Sequence, residues 1–208
     1  MIRILVLIFF SYFLIQYYSF SQDYLKNYKI DGIDNMVQNH KNIAILPFKF
    51  KIIQKEKSRK KLTPKQLMNE EYSLSLGTTA TLFRYLYSKP KKLLVNVQPP
   101  NNTIRLLSQS GIDLSEIESV SKKKLCEILG VDAIVIGTFI NSRTIAKGLG
   151  SISLMGFSVE NKNDIKVEIF DSRDKLLWRY SRKMSGNDVN AVIYESMGFI
   201  GKRFPYLK

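Results

Sequence analysis

The apolar run at residues 133–140 constrains the fold more than any other segment of the chain. Its sequence, Ala-Ile-Val-Ile-Gly-Thr-Phe-Ile, shows almost no alternation of polar and apolar side chains. A strand that is apolar on both sides needs cover on both faces, which is typical of the middle of a sheet. The helix before this run is predicted to end at Leu129, with Gly130 taking the left-handed conformation that closes many helices. We therefore expect this run to form a strand in the middle of the sheet.

A short strand and a long helix precede this run. Residues 42–48 form an apolar strand, in which Pro47 cannot donate a ladder hydrogen bond and is expected at the strand's end, at a bulge or on an edge. Thr63, Pro64 and Gln66 then form the N-terminal signature of a helix, with Thr63 as the N-cap. Apolar residues follow at spacings of three and four and predict a core-facing stripe on that helix: Met68, Tyr72, Leu76, Ala80, Phe83 and Tyr87.

A second strand, a hairpin and a last helix complete the pattern. Residues 93–98 form the second strand, and residues 165–169 and 175–183 alternate as the two arms of a hairpin, with Trp178 on the apolar side. A helix beginning near Asp188 ends the domain. We predict an α/β (α+β) fold with a mixed β-sheet of about five strands and helices packed on it. It forms a single domain over residues 42–206, after an irregular lead-in at residues 22–41.

The first 21 residues have the layout of a secretory signal peptide. Arg3 supplies a positive charge, residues 4–15 are apolar, and small residues precede an expected cut after Ser21. An uncleaved membrane anchor is the alternative, although a spanning helix needs roughly 20 apolar residues; a buried core helix is the third possibility. Because Cys126 is the sole cysteine, no lipid can be attached directly after the apolar run and no intramolecular disulfide can form.

The chain is strongly basic, with a formal net charge of +14. The densest stretch, residues 49–65, is predicted to be an exposed connection after a strand, and it includes Lys57, Arg59, Lys60 and Lys61. Such charge has two interpretations. It lies on solvated loops and helix faces, or it attracts the chain to an anionic surface of lipid or polymer. We do not expect nucleic acid as a partner, because the predicted export would separate the chain from it.

A glycine-rich apolar segment at residues 148–157 has two interpretations. It packs on the core as a loop or short helix, or it exposes Leu154, Met155 and Phe157 to a partner or a membrane. Together with the basic connection it is the candidate partner surface.

The sequence offers no motif for catalysis. His40 is the sole histidine and is expected to be exposed, so histidine triads and HExxH metal sites are excluded. Glu70 and Glu71 are expected on a solvated helix surface. We expect no cofactor and no bound metal, and a protein that is not an enzyme.

Three stretches together resemble a known family. They are IAILPF at residues 43–48, LGVDAIVIGT at residues 129–138, and a hairpin over residues 169–178 that ends in LLW with Trp178. Their order resembles the periplasmic α/β domain of the curli secretion (CsgG-like) lipoproteins, the TolB N-terminal domain and the penicillin-binding protein activators.

The resemblance covers residues 42–206. It agrees with a helix cap at Gly130, a turn held by Asp132 and close packing at Gly137. It implies a non-enzymatic module of the cell envelope or outer membrane that binds envelope proteins or assembles with itself. The lipidation cysteine and long membrane hairpins of a curli-type pore are absent from the sequence, so an adaptor role in the periplasm fits better.

Overall fold

Strand β5 (Ala133–Ile145) lies in the middle of the sheet, as its apolar sequence predicts. The computed structural model describes residues 26–54, 62–145, 159–186 and 188–208. Within these ranges the sheet has seven strands, the others being β1 (Lys26–Lys29), β2 (Asn42–Ile45), β3 (Lys49–Gln54), β4 (Asn96–Gln98), β6 (Val159–Asp171) and β7 (Leu176–Gly186). Their order is β1-β7-β6-β5-β2-β4, with β3 also paired to β5. The β2–β4, β2–β5 and β3–β5 pairs are parallel and the others antiparallel, so the sheet is mixed.

Helices cover both faces of this sheet. They are α1 (Ile33–Asn39), α2 (Pro64–Tyr87), α3 (Pro100–Gln109), α4 (Lys122–Leu129) and α5 (Val189–Gly201), with a 3₁₀ turn at Ile117–Ser119. Helices α1, α2 and α5 share a core with β3, β6 and β7 on one face. Helices α3 and α4 build a smaller core against Ala44, Leu46 and Ile134 on the other. The predicted single α/β domain with a mixed sheet is confirmed.

Strands β2 and β3 occupy the same edge of β5, one after the other. Ile43 to Ile45 pair with residues 133–135, and β3 pairs with residues 138–143. Pro47 lies in the short break between the two strands, where its missing N–H costs no ladder bond. The basic stretch that begins at Lys49 is therefore a strand as far as Gln54, which corrects the prediction of an exposed connection there. Its apolar residues Phe50 and Ile52 alternate with lysines and are buried.

The segment before the first predicted strand is also ordered. Strand β1 pairs antiparallel with β7, and α1 buries Ile33 and Val37 in the core. The prediction of an irregular lead-in at residues 22–41 is wrong for these elements. Strand β1 has no apolar alternation of its own; it forms because the edge of β7 offers free hydrogen-bonding groups.

Candidate functional site

Helix α2 carries a row of apolar side chains of which three are exposed and three, Leu76, Ala80 and Phe83, are half-buried. Met68, Tyr72 and Tyr87 are 62%, 54% and 50% exposed, and the Tyr87 ring packs against Phe83 with centroids 4.5 Å apart. We call this row the α2 stripe and define it by six residues: Met68, Tyr72, Leu76, Ala80, Phe83 and Tyr87. It extends roughly 28 Å along the helix.

The prediction that this row faces the core is wrong for its exposed members. The side of α2 that faces the sheet buries a different set: Ser75, Thr78, Thr79, Leu82 and Leu86. Thr78 and Thr79 each donate a hydrogen bond from Oγ1 to a carbonyl one turn earlier, at 2.7 and 2.9 Å. Small side chains whose hydroxyls are satisfied in this way allow the helix to approach the sheet closely. The larger apolar residues are left on the flank.

Side-chain hydrogen bonds hold α2 against the break between β2 and β3. Ser75 Oγ donates to the carbonyl of Phe48 at 2.5 Å, and the Phe48 N–H donates to Thr79 Oγ1 at 3.0 Å. Glu71 Oε1 accepts from the Ile52 N–H on β3 at 2.7 Å. These bonds satisfy backbone groups that the ladder leaves free, and they fix the orientation of the stripe relative to the sheet.

The two neighbouring acids of α2 are bound to the sheet rather than solvated, which corrects the sequence prediction for them. Glu71 accepts the hydrogen bond from Ile52, and Glu70 forms an ion pair with Arg143 of β5 at 2.5 Å. Arg143 Nε also donates to Asn141 on the same strand. The first half of α2 is thereby tied to the far half of β5.

Two of the motif residues from the sequence occupy positions that favour glycine. The ring of Phe48 packs against Gly137, so that a Cβ at Gly137 would be 2.1 Å from Phe48 Cε1. Gly130 closes α4 with φ 65° and ψ 41°, a conformation in which glycine is favoured. Gly137 thus provides space for a core aromatic ring, and Gly130 allows the chain to turn into β5.

Asp132 joins the start of β5 to the start of β2. Its Oδ2 accepts from the N–H groups of Lys41 and Asn42 at 2.7 and 2.9 Å. Burial opposes ionisation, yet these two hydrogen bonds hold the pKa of Asp132 below its ordinary value. Asp132 thus has a structural role: it holds the starts of β2 and β5 side by side.

Trp178 lies in the core on β7. Its ring stacks on Tyr180 at 6.1 Å and meets Phe204 edge-on at 6.0 Å. The LLW motif therefore anchors the C-terminal segment, which follows α5, to the sheet.

His40 is half-buried rather than exposed, which corrects the sequence prediction. Its Nδ1 lies 2.7 Å from the hydroxyl of the buried Tyr206. Burial lowers the pKa of His40, while the charges of Asp132 and Asp171 oppose that effect. Sequence reasoning missed this pair because its members are separated by most of the chain.

The remaining predicted partner residues lie outside the described residues. These are Leu154, Met155 and Phe157 of the glycine-rich segment and Lys57, Arg59, Lys60 and Lys61 of the basic connection. Over the described ranges, no group of three or more His, Cys, Asp or Glu side chains is arranged to hold a metal ion. In the same part of the chain, no helix has the length and apolar character needed to cross a membrane.

No protein-family model matches the chain, and no curated protein matches it. Similar solved structures include lipoprotein GNA1162 from Neisseria meningitidis, with 17% identity, a TM-score of 0.47, and coverage of 78% of this chain and 96% of that one. The PelC dodecamer from Paraburkholderia phytofirmans is 7% identical with a TM-score of 0.39, covering 88% of this chain and 97% of that one. The LpoB C-terminal domain from Salmonella enterica is 7% identical with a TM-score of 0.33, covering 75% and 93%. These identities are too low to assign residue roles, and the resemblance to CsgG-like and TolB domains stays a prediction.

Proposed function

We propose that the chain is a non-enzymatic protein-binding or assembly module of the cell envelope, and that the α2 stripe is its protein-contact surface. The observation that carries the proposal is the exposure of Met68, Tyr72 and Tyr87 in one row on one helix. Aromatic residues and methionine are enriched at the centres of protein interfaces. Scattered exposed apolar residues need no explanation, but a row at helical spacing, in which half-buried Leu76, Ala80 and Phe83 lie between the exposed members, offers an apolar surface to a partner.

The way α2 is held supports this role. The capping box at Thr63 and Gln66 fixes the first turn of the helix, and the bonds from Ser75 and Thr79 to Phe48 fix its middle. A helix with a fixed orientation presents its side chains at a low entropic cost of binding. The stripe is therefore a preorganised surface.

Three polar side chains among the described residues support a role without catalysis. Asp132 accepts backbone hydrogen bonds, Glu71 accepts one from β3, and His40 contacts a buried tyrosine hydroxyl. Each of these candidates for acid or base chemistry is engaged in holding two parts of the fold together. The envelope assignment rests on the signal-like N-terminus and on the family resemblance.

Photocrosslinking in intact cells tests the proposal. A photoreactive residue at position 72 should form an adduct of defined mass, either with a second copy of the chain or with another envelope protein. The matched control places the same photoreactive residue at position 84, because Arg84 is exposed on α2 outside the α2 stripe. The adduct should disappear when Met68→Gln and Tyr87→Gln are combined with the probe. Equal adducts at positions 72 and 84, or an adduct that survives the two substitutions, would contradict the proposal.

A further inference from the structure

The far half of the sheet carries a regular field of polar side chains on the face opposite α2. Along β3, β6 and β7, residues Phe50, Ile52, Ile165 and Met184 belong to the core that α2 and α5 cover. Because successive side chains of a strand point to opposite faces, the residues between them point the other way. The strand registers then align four strands in three rows.

We call this field the lysine face. Its members by strand are Lys49, Lys51 and Ile53 on β3, Thr138, Ile140 and Ser142 on β5, Lys166, Asp164 and Lys162 on β6, and Ser181, Lys183 and Ser185 on β7. The residues on the central strand β5 are half-buried, and all five lysines are exposed. With strands about 4.8 Å apart and residues of one face about 6.8 Å apart, the field measures roughly 15 by 15 Å.

Positive charge dominates the lysine face. It holds five lysines and a single carboxylate, Asp164, which lies 3.8 Å from Lys183. Two acids at its border neutralise part of the charge, since Glu118 pairs with Lys49 and Glu168 with Lys166.

Two of the lysines keep their charge uncompensated. Lys51 and Lys162 have no acidic partner among the described residues. They lie on β3 and β6, on either side of the central strand, so the excess charge is spread across the field.

We propose that the lysine face lies on the surface of an anionic lipid bilayer. Lysine and serine, which make up most of the field, are depleted at protein–protein interfaces, where aromatic residues and arginine are enriched. Lysine acts as a point charge without the fork geometry with which arginine recognises a single phosphate or carboxylate. A flat array of such charges instead matches a surface of many headgroups, and juxtamembrane lysine clusters bind anionic lipid by this diffuse attraction.

This orientation is compatible with the proposed protein contact and independent of it. The α2 stripe is on the helix that covers the opposite face of the sheet, so it stays accessible when the lysine face lies on lipid. The apolar run at residues 4–15, predicted from the sequence to be a signal peptide or a membrane anchor, would bring the chain to a membrane in either case. The chain would then connect a lipid surface on one side with a protein on the other.

Vesicle co-sedimentation tests the proposal with the protein purified in the form that accumulates in the cell. Binding is measured to vesicles of equal parts phosphatidylglycerol and phosphatidylcholine and to vesicles of phosphatidylcholine alone. Any contribution of the apolar N-terminus is common to all variants, so the difference between the two vesicles isolates the charge effect. The test variant combines three substitutions on the lysine face: Lys51→Gln, Lys162→Gln and Lys183→Gln. The control removes the same charge from exposed positions on or next to α2 and α5: Lys65→Gln, Lys91→Gln and Lys202→Gln.

We expect the parent protein to bind the anionic vesicles and to lose this binding as salt rises from about 0.05 M to about 0.5 M. The lysine-face variant should bind on the order of 100-fold more weakly, and the control should stay within a few fold of the parent. Equal weakening of the two variants would overturn the proposal, because net charge alone would then explain binding. Equal binding to both vesicles would overturn it, as would tighter binding to soluble polyglutamate with the same residue dependence, which would indicate an acidic protein partner.

Discussion

The ring of Phe48 fills the space that a Cβ at Gly137 would need, with its Cε1 atom 2.1 Å from that position. Phe48 follows Pro47 in the break between β2 and β3, and its backbone is bonded to Ser75 and Thr79 of α2. One residue thus joins the edge strand, the central strand and the helix that carries the α2 stripe. The position of that surface depends on this contact.

Gly137→Ala should therefore destabilise the fold. The added methyl group overlaps a buried aromatic ring that has no solvent to move into, and overpacking of this kind costs about 1–3 kcal/mol. Urea denaturation measures the loss. Gly77→Ala is the matched control, because Gly77 is exposed on α2 and no atom lies within 4 Å of an added Cβ. Alanine should stabilise the helix there by about 0.5–1 kcal/mol. A neutral Gly137→Ala would contradict the packing described above.

Thr79→Val tests the hydrogen bond between α2 and Phe48. Valine has nearly the same shape but no acceptor, so it leaves the buried N–H of Phe48 unsatisfied. The expected loss in the free energy of unfolding is about 1–3 kcal/mol. Thr81 offers the comparison, since its hydroxyl donates to the Gly77 carbonyl on the exposed side, where water replaces it. Thr81→Val should change stability by less than about 0.5 kcal/mol. Similar losses for both variants would mean that the Phe48 bond contributes nothing specific.

The sequence indicates those elements of the fold whose local pattern has one interpretation. The apolar run of β5 favours the middle of the sheet, and Thr63, Pro64 and Gln66 start a helix through a cap formed by neighbouring residues alone. The β6–β7 hairpin follows from its alternation and the turn at Asp171, whose Oδ1 accepts from Arg173 N–H and Lys175 N–H. Strand β1 has no such pattern and exists through its partner, so it could not be predicted.

The sequence pattern gave the wrong core-facing side for part of α2. Its six regularly spaced apolar residues predict a core face, but Thr78 and Thr79 satisfy their hydroxyls on the helix itself and are buried at little cost. Local hydrogen bonds made two polar residues compatible with the core, and the apolar row was left on the flank. The lysine face could not be predicted from the sequence, because its members come from four strands and only the strand register brings them together.

His40 should make stability depend on pH near neutrality. Burial lowers its folded-state pKa below the ordinary 6.5, opposed by Asp132 and Asp171 and assisted by Arg173. The unfolded chain then binds the proton more readily, so the free energy of unfolding falls as pH drops through 6.5 toward the folded pKa. Denaturation between about pH 8 and about pH 5.5 measures the slope. His40→Gln should remove it, because histidine is the side chain that ordinarily changes its charge within this window. An unchanged slope in His40→Gln would exclude His40 as its source.

Cys126 should be unreactive in the folded protein. The thiol is buried on α4, and burial, with nearby carboxylates, raises its pKa to about 12. Because the thiolate is the reacting species, an aromatic disulfide reagent at about pH 8 should label the native chain far more slowly than the chain in guanidinium. Labelling then reports opening, so the destabilising Gly137→Ala should speed it by about tenfold for each 1.4 kcal/mol lost. Native labelling as fast as that of the unfolded chain would contradict burial. If Gly137→Ala speeds labelling and the equally destabilised Thr79→Val does not, the thiol is exposed by local opening near Gly137 and not by global unfolding.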